Sequence, residues 1–324
     1  MVDFPNQVNA NQAPGVEGDF ASANPRRAVL AGEGALIAGA GVIAGVSVPG
    51  AVVGRFGWLT YQSVDSDNAP GTINTFGTGL PAGLVSRAQV GLITQYLASG
   101  VTYRNSGFQC MAWSEVDLWV RNAGTTQAQV GQKAFANYAD GSAAFAAAGA
   151  TISAGTSTAS TIAAGTMTVT GSITGDIFTA ASGLTGNIYP GEIISGTNVA
   201  TGTQIVSQVT PLLAGEVANG LGRYTVSLPE QTVASTAISG TYGLLTVGGT
   251  ITGTWGVGQS VTGASAGTVI TALLSGAGGA GTYIVNNTQT VGSTGLSSLS
   301  SIETKWVART SGAAGEIIKI SSTP

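Results

Sequence analysis

The sequence has no histidine and only one cysteine, Cys110, in 324 residues. Without histidine there is no Ser-His-Asp triad, no imidazole acid–base catalysis and no histidine-ligated metal. One cysteine cannot form an intrachain disulfide or a cysteine-rich zinc site, and we expect Cys110 to be a small buried apolar residue. The sequence therefore predicts a protein that is not an enzyme, with no catalytic, cofactor-binding or metal-ligating residues and no cofactor.

Charge is scarce as well. The 11 basic and 15 acidic residues make up 8% of the chain and give a net charge of −4. Because the basic residues are few and spread out, we expect neither nucleic acid nor an anionic membrane as a partner. Glycine, in contrast, is abundant, with 50 residues. It lacks the period of three of collagen, and the 43% of hydrophobic residues indicate a folded core.

Residues 34–54 form an uncharged stretch that is long enough to cross a bilayer. They follow Arg26 and Arg27, as in a twin-arginine export signal. Glycines and Pro49 interrupt this stretch, so we expect short strands and tight turns instead. Residues 39–44 (Gly-Ala-Gly-Val-Ile-Ala) also fit a loose dinucleotide-binding pattern. That pattern needs a following helix, which Pro49 and the next glycine would end, so no nucleotide site is expected.

The composition divides the chain into zones. Residues 1–27 are polar and interrupted by prolines, and they predict an extended arm that needs something to hold it, such as a neighbouring subunit. Residues 28–145 carry most of the charge, and their alternating patterns predict strands at 53–61, 113–120 and 130–138. Residues 86–97 have the only helical spacing, although they could also form a strand. Residues 303–324 regain charge, so we expect them to return to the domain formed by 28–145.

Residues 146–302 are rich in Thr, Ser, Gly, Ala, Val and Ile, and Arg223 is their only basic residue. This composition favours strands and turns. Five blocks recur in the same order: 168–175 with 246–253, 190–196 with 257–263, 202–205 with 267–270, 222–226 with 281–285, and 231–236 with 289–294. The repetition predicts two copies of one small β unit, at about 166–240 and 244–300.

Two carboxylate pairs, Asp65 with Asp67 and Glu115 with Asp117, have the i, i+2 spacing that places both members on one face of a strand. Such a pair could serve a metal or a glycosidase site. However, residues 65–71 predict a turn, and they lack the glycine and the distal glutamate of a calcium loop. We expect Glu115 and Asp117 to lie on the solvated face of a strand whose inward residues are Val116, Leu118 and Val120.

Several phrases, in this order along the chain, resemble the structural cement (capsid decoration) proteins of tailed phages. They lie at 13–26, 53–58, 92–97, 117–120, 130–138 and 303–306. The resemblance covers residues 1 to about 141 and about the last 20. Residues 146–302 are similar to the Gly-Thr-rich β modules inserted in various phage head and tail proteins.

Together these observations predict a mainly all-β fold. A β-barrel or jelly-roll-like docking domain (28–145 plus 303–324) is interrupted by the inserted repeat module (146–302) and preceded by the extended arm (1–27). The resemblance implies a protein of the virion that binds the outer surface of the assembled capsid and stabilises it by bridging subunits of the major capsid protein. It also implies a homo-oligomer, a trimer being favoured over a dimer.

The alternative is an adhesin or a tail or fibre component whose repeats bind a receptor or a glycan. Its candidate sugar-stacking residues are Tyr189, Tyr224, Tyr242, Trp255 and Tyr283. Tyr224 and Tyr283 occupy equivalent repeat positions, so they could equally be packing residues.

Overall fold

The computed structural model describes residues 15–29, 36–43, 46–48, 50–61, 71–87, 102–228, 231–275 and 278–322. All regular secondary structure in these ranges is β-strand, which confirms the all-β prediction. No helix there is long and apolar enough to span a membrane. The carboxylates Asp65 and Asp67, and all of the predicted 86–97 element except its first two residues, lie outside the described ranges.

The first ten strands are short. They are β1 (Arg27–Ala28), β2 (Ile37–Ala38), β3 (Gly41–Ile43), β4 (Val46–Val48), β5 (Ala51–Val52), β6 (Phe56–Tyr61), β7 (Gly71–Asn74), β8 (Gly83–Val85), β9 (Tyr103–Arg104) and β10 (Ala112–Glu115). Six of them form the first sheet, in the order β1-β10-β8-β6-β7-β2. The uncharged stretch 34–54 contributes β2 to β5, as the glycines and Pro49 predicted. In the dinucleotide-like segment, β3 pairs with β4 as an antiparallel hairpin, where the motif would need a helix.

The second sheet joins the middle of the chain to its C-terminal part. It contains β11 (Asp117–Arg121), β12 (Lys133–Asn137) and β13 (Ala143–Ala146), together with the last two strands, β25 (Ser301–Ala308) and β26 (Ile317–Ser321). The order is β11-β26-β25-β12-β13. In β26 the buried Ile318 and Ile320 alternate with less buried residues, and they lie opposite Val120 and Leu118 of β11. This period of two is that of a strand with one face on a core.

The two sheets share one hydrophobic core. The first sheet contributes Phe56, Trp58 and Leu84, and the second contributes residues such as Leu118 and Trp306. The rings of Phe56 and Trp306 meet edge to face with centroids 5.3 Å apart. Cys110 is buried in a smaller cluster under the first sheet, as predicted.

The third sheet is built by the Thr- and Gly-rich zone. Its strands are β14 (Ser153–Gly175), β15 (Ile177–Thr185), β16 (Ile193–Gly196), β17 (Ile205–Gln208), β18 (Gly222–Val226), β19 (Gln231–Val247), β20 (Ile251–Gly253), β21 (Ser260–Thr262), β22 (Ile270–Leu273), β23 (Gly281–Val285) and β24 (Val291–Leu299). The main path runs β17-β18-β15-β14-β19-β23-β22. Strand β14 has 23 residues and pairs along most of its length with β19.

Two separate cores lie along this long pair. The first is built around Phe178 and Tyr224, and the second around Leu245, Trp255 and Tyr283. The C-terminal part of β14 pairs with β15, whereas its N-terminal part pairs with β20 and β24. A single strand therefore supports both repeat units.

Strand pairing corrects the register of the first recurring block. Phe178 lies opposite Tyr224, and Leu245 lies opposite Tyr283. The counterpart of Phe178 is therefore Leu245, and the sequence match of 168–175 with 246–253 is wrong. Thr-Gly phrases occur in both β14 and β20, so the sequence alone aligns the wrong pair.

The chain leaves and re-enters the second sheet at neighbouring points. Strands β13 and β25 flank β12 in this sheet. The chain leaves β13 for the third sheet and comes back from the third sheet into β25. Ser153 pairs with Leu299, and the backbone N–H of Ser300 donates to the carbonyl of Ile152 at 3.0 Å. The whole segment between these residues is thus connected through two adjacent strands.

Candidate functional site

The predicted carboxylate pair at 115 and 117 does not form a site. Residue Val116 separates β10 from β11, so Glu115 and Asp117 belong to two different sheets. Glu115 is partly exposed and forms an ion pair with Arg27 at 3.4 Å. Asp117 is buried, which corrects its expected place on a solvated face, although Val116, Leu118 and Val120 are buried as predicted. Within the described ranges, no three acidic or cysteine residues come together as a metal site would require.

Asp117 is buried because an N-terminal segment covers it. Residues 15–28, named here the N-terminal clamp, run first along β11, the edge strand of the second sheet, and end in β1, which pairs with β10 of the first sheet. The N–H of Gly18 donates to the carbonyl of Trp119 at 2.7 Å, and the N–H of Trp119 donates to the backbone carbonyl of Asp19 at 3.0 Å. The N–H of Ala21 donates to the backbone carbonyl of Asp117 at 2.9 Å. These bonds satisfy backbone N–H and carbonyl groups of the edge strand β11, which could otherwise pair with another chain.

Side chains reinforce this backbone pairing. The hydroxyl of Ser22 and the amide of Asn24 donate to Oδ2 of Asp117 at 2.6 and 2.7 Å. Burial raises the pKa of Asp117, but hydrogen bonds from Ser22, Ser321 and Asn24 and the charge of Lys319 outweigh it, so the pKa is lowered overall. The carboxylate therefore remains ionised and holds the clamp.

An aromatic contact fixes the middle of the clamp. The ring of Phe20 meets that of Trp113 edge to face with centroids 5.5 Å apart, and the guanidinium of Arg26 lies 3.5 Å from the centroid of the Phe20 ring. The protein's own strands thus hold residues 15–28. The expected need for something to hold the arm is met, for these residues, by the chain itself; residues 1–14 lie outside the described ranges.

A cleft of about 410 Å³ lies beside the clamp, with Val16 and Glu17 in its wall. Arg55, Arg87 and Arg121 also line it, among small apolar side chains. Arg55 is bound to Asp140, and Arg121 is bound to Glu17 at 3.1 Å. Two of the three arginine charges are thus balanced within the chain.

An exposed apolar loop lies on the first sheet, at residues 75–82. Leu80 is 72% exposed and Phe76 38% exposed, beside a second cleft of about 370 Å³ that Trp58 also lines. The indole N–H of Trp58 donates to the carbonyl of Gly79 at 2.9 Å, and the N–H of Gly77 donates to Tyr138 at 3.0 Å. The 75–82 loop therefore presents apolar side chains from fixed backbone positions. A leucine between a glycine and Pro81 was the available sequence signal, and sequence reasoning missed it.

Comparison with known protein families identifies one that the chain matches. The family model described as XM1 gp53 minor capsid protein matches residues 4–184, more than half of the chain, from the arm into β15. The chain belongs to this minor capsid protein family. Its members are phage structural proteins, so the protein has a structural role in the phage capsid and associates with capsid proteins in the virion. Comparison with curated proteins and with solved structures finds no match.

In this minor capsid protein, the aromatic residues of the repeats are packing residues. Trp255, Tyr224 and Tyr283 are at most 1% exposed, and Tyr189 is also buried. Tyr242 is half-buried, with its ring edge to face against Tyr189 at 5.2 Å. The rings of Tyr189, Tyr224, Trp255 and Tyr283 offer no open face on which a sugar could stack, because each is buried.

The apolar surface of the repeats is aliphatic instead. One part of it lies in residues 209–221, where Leu212, Leu213 and Val217 are 40 to 59% exposed. Glu216 orders this loop by accepting from the N–H of Leu213 at 2.7 Å and from Arg223 at 2.8 Å. The second unit is six residues shorter at this point, since the offset between the units falls from 65 at Thr203 and Thr268 to 59 at Tyr224 and Tyr283.

Proposed function

We propose that this minor capsid protein is a non-enzymatic head cement or decoration protein. It binds the outer surface of the assembled capsid and stabilises it by bridging subunits of the major capsid protein. The observation that carries the proposal is the family match, which spans the N-terminal clamp, the whole first sheet and strands β11 to β13 of the second sheet. The shared core of the two sheets makes this part a stiff body that is suited to joining two neighbours.

The 75–82 loop is the proposed docking contact. An exposed leucine on a fixed backbone can enter a hydrophobic pocket on a partner without losing much conformational freedom. Burying one such side chain contributes about 1.5–3 kcal/mol. If the bound surface exists only between assembled subunits, the protein binds the shell and not the free subunits. Binding then stabilises the assembled shell by mass action.

The repeat module (146–302) is proposed to project from the docked domain. Its two connections lie side by side, at the paired Ser153 and Leu299. An insertion with adjacent ends leaves the host sheet intact. Docking and the outward surface can therefore vary independently.

The direct test is to add purified protein to phage heads that lack it and to measure binding by co-sedimentation, together with the melting temperature of the heads. A cement protein saturates at a copy number proportional to the number of capsid subunits and raises the melting temperature. Binding of only a few copies at one vertex, or no gain in head stability, would refute the proposal. Mass photometry of the free protein separates the trimer from the dimer.

An adhesin or tail component is the second candidate, and the exposed Leu212, Leu213 and Val217 are the observation that favours it. The buried aromatic residues argue against a glycan as its ligand. This candidate predicts a low copy number per virion and binding of intact phage to a host surface protein, which a Leu213→Asp variant weakens.

A further inference from the structure

The two repeat units contain the same tight turn, at 189–192 and 256–259, and its last residue is an acid in the first unit and the matching amide in the second. Gly191 and Gly258 are the third residues of this turn, with φ of 84° and 89°. The fourth residue is Glu192 in the first unit and Gln259 in the second. The N–H of Tyr189 donates to Oε2 of Glu192 at 3.2 Å. The N–H of Gly256 donates to Oε1 of Gln259 at 2.9 Å. The carboxyl and the amide thus fill the same position.

The second polar atom distinguishes the two side chains. In the second unit, Nε2 of Gln259 donates to the carbonyl of Thr254 at 3.2 Å. In the first unit, Oε1 of Glu192 is buried and has no hydrogen-bond partner among the described residues. An ionised carboxylate would leave a buried charge with a missing donor, which is costly. A protonated carboxyl supplies an O–H donor at that atom and so resembles the amide.

Among the residues that the structure describes, no positive charge faces Glu192 from the elements around it. The ionisable groups there are Tyr189 of the same turn, Tyr224 of β18 and Tyr242 of β19, and Gly240 of β19 lies directly against the carboxyl. The nearby Glu216 and Arg223 are paired with each other. Burial raises the pKa of Glu192 to about 8, although the bond from Tyr189 opposes this rise. Burial and then the proximity of Glu192 also raise the pKa of Tyr224.

We propose that Glu192 is a proton-dependent latch of the first repeat unit. In its neutral form it closes the 189–192 turn against β19. Loss of the proton loosens that turn, whereas Gln259 keeps the corresponding turn of the second unit closed at every pH. Mild acid therefore tightens the first unit and leaves the second unchanged.

The direction follows from proton linkage. When the turn is open, Glu192 has its ordinary pKa of 4.5, and when it is closed the pKa is about 8. The closed state therefore binds more protons between these two values. Closure is most favourable below pH 4.5, weakens as the pH rises, and levels off above about 8.

Hydrogen exchange of the full-length protein, corrected for the intrinsic rate at each pH, tests the latch. We expect the protection of residues 187–196 to fall by up to about tenfold per pH unit between pH 5 and 8. Protection of residues 254–263 should stay constant. Glu192→Gln should abolish the slope in the first unit, and Gln259→Glu should create one in the second.

Equal pH profiles of the two turns in the wild-type protein, or a slope that persists in Glu192→Gln, would overturn the proposal. If Gln259→Glu does not fold, the comparison of wild type with Glu192→Gln still decides, because that substitution keeps the shape of the side chain.

Discussion

Tyr224 and Tyr283 occupy the same position in two copies of one unit. The hydroxyl of Tyr224 donates to the carbonyl of Gly220 at 2.6 Å, and that of Tyr283 donates to Gly279 at 2.7 Å. Both rings are fully buried. A second matched set supports the equivalence: the amides of Gln231 and Gln289 donate to the hydroxyls of Thr203 and Thr268, at 3.0 and 2.7 Å.

We expect Tyr224→Phe and Tyr283→Phe each to lower the free energy of unfolding by about 1–2 kcal/mol, because each leaves a carbonyl without its donor. Tyr224→Phe should cost more, since its bond is buried and that of Tyr283 only partly so. Urea denaturation measures both. The control is Tyr242→Phe, which removes a hydroxyl from a half-buried ring and should change stability by less than about 0.5 kcal/mol. Equal effects of all three would show that the two hydroxyl bonds contribute nothing specific.

The all-β class and four of the five recurring blocks could be predicted because they depend on local chemistry. Turn glycines such as Gly191 and Gly258 have positive φ, which the sequence signals directly. The register of β14 could not be predicted. Its exposed threonines and glycines carry little side-chain information, and only its pairing with β19 and β24 fixes which half supports which unit.

The burial of Asp117 was beyond sequence reasoning for another reason. Its alternation with Leu118 is typical of a half-exposed strand, yet Asp117 on the outer face of β11 is buried as well. The residue that covers it, Ser22, is 95 positions away. A pattern along one strand carries no information about such a distant partner. The exposure of Leu80 is equally a property of how the 75–82 loop is anchored.

The repeat module should be removable. We expect that replacing residues 154–298 with an Asn-Gly turn gives a folded protein, because the flanking Ser153 and Leu299 are antiparallel partners and a two-residue turn can close such a pair. A retained cooperative thermal transition and retained binding to undecorated heads are the measurements. Deleting only residues 177–240 is the control: it removes strands that pair with β14 and should give an insoluble protein. An unfolded product of the first deletion would contradict the division into a docking domain and an inserted module.

The docking surface can be tested at Leu80. We expect Leu80→Asp to weaken binding to heads by about 10- to 100-fold, the equivalent of one lost buried leucine, without changing thermal stability. The matched control is Leu213→Asp, which alters another exposed leucine, in the repeat module, and should leave head binding unchanged. If Leu213→Asp is the damaging change, the module and not the 75–82 loop contacts the capsid.

Acid should release the N-terminal clamp. The pKa of Asp117 is lowered from 3.8, so its contribution to stability is complete above that value and is lost as the pH falls through the lower, folded-state value. We expect the hydrogen-exchange protection of residues 15–28 to be constant from pH 7 to about 4 and to fall below it. Protonation neutralises Oδ2, which accepts from both Ser22 and Asn24.

Two variants separate this cause from general acid unfolding. Asp117→Asn should weaken the clamp by about 1–3 kcal/mol at pH 7, because hydrogen bonds to a charged acceptor are the stronger kind, and it should remove the acid transition of residues 15–28. Glu17→Gln breaks the ion pair with Arg121, whose side chain is 51% exposed, so it should have little effect and leave the transition in place. The two results together distinguish a buried carboxylate that holds the clamp from a surface ion pair that only accompanies it. An acid transition that survives in Asp117→Asn would assign the release to another group.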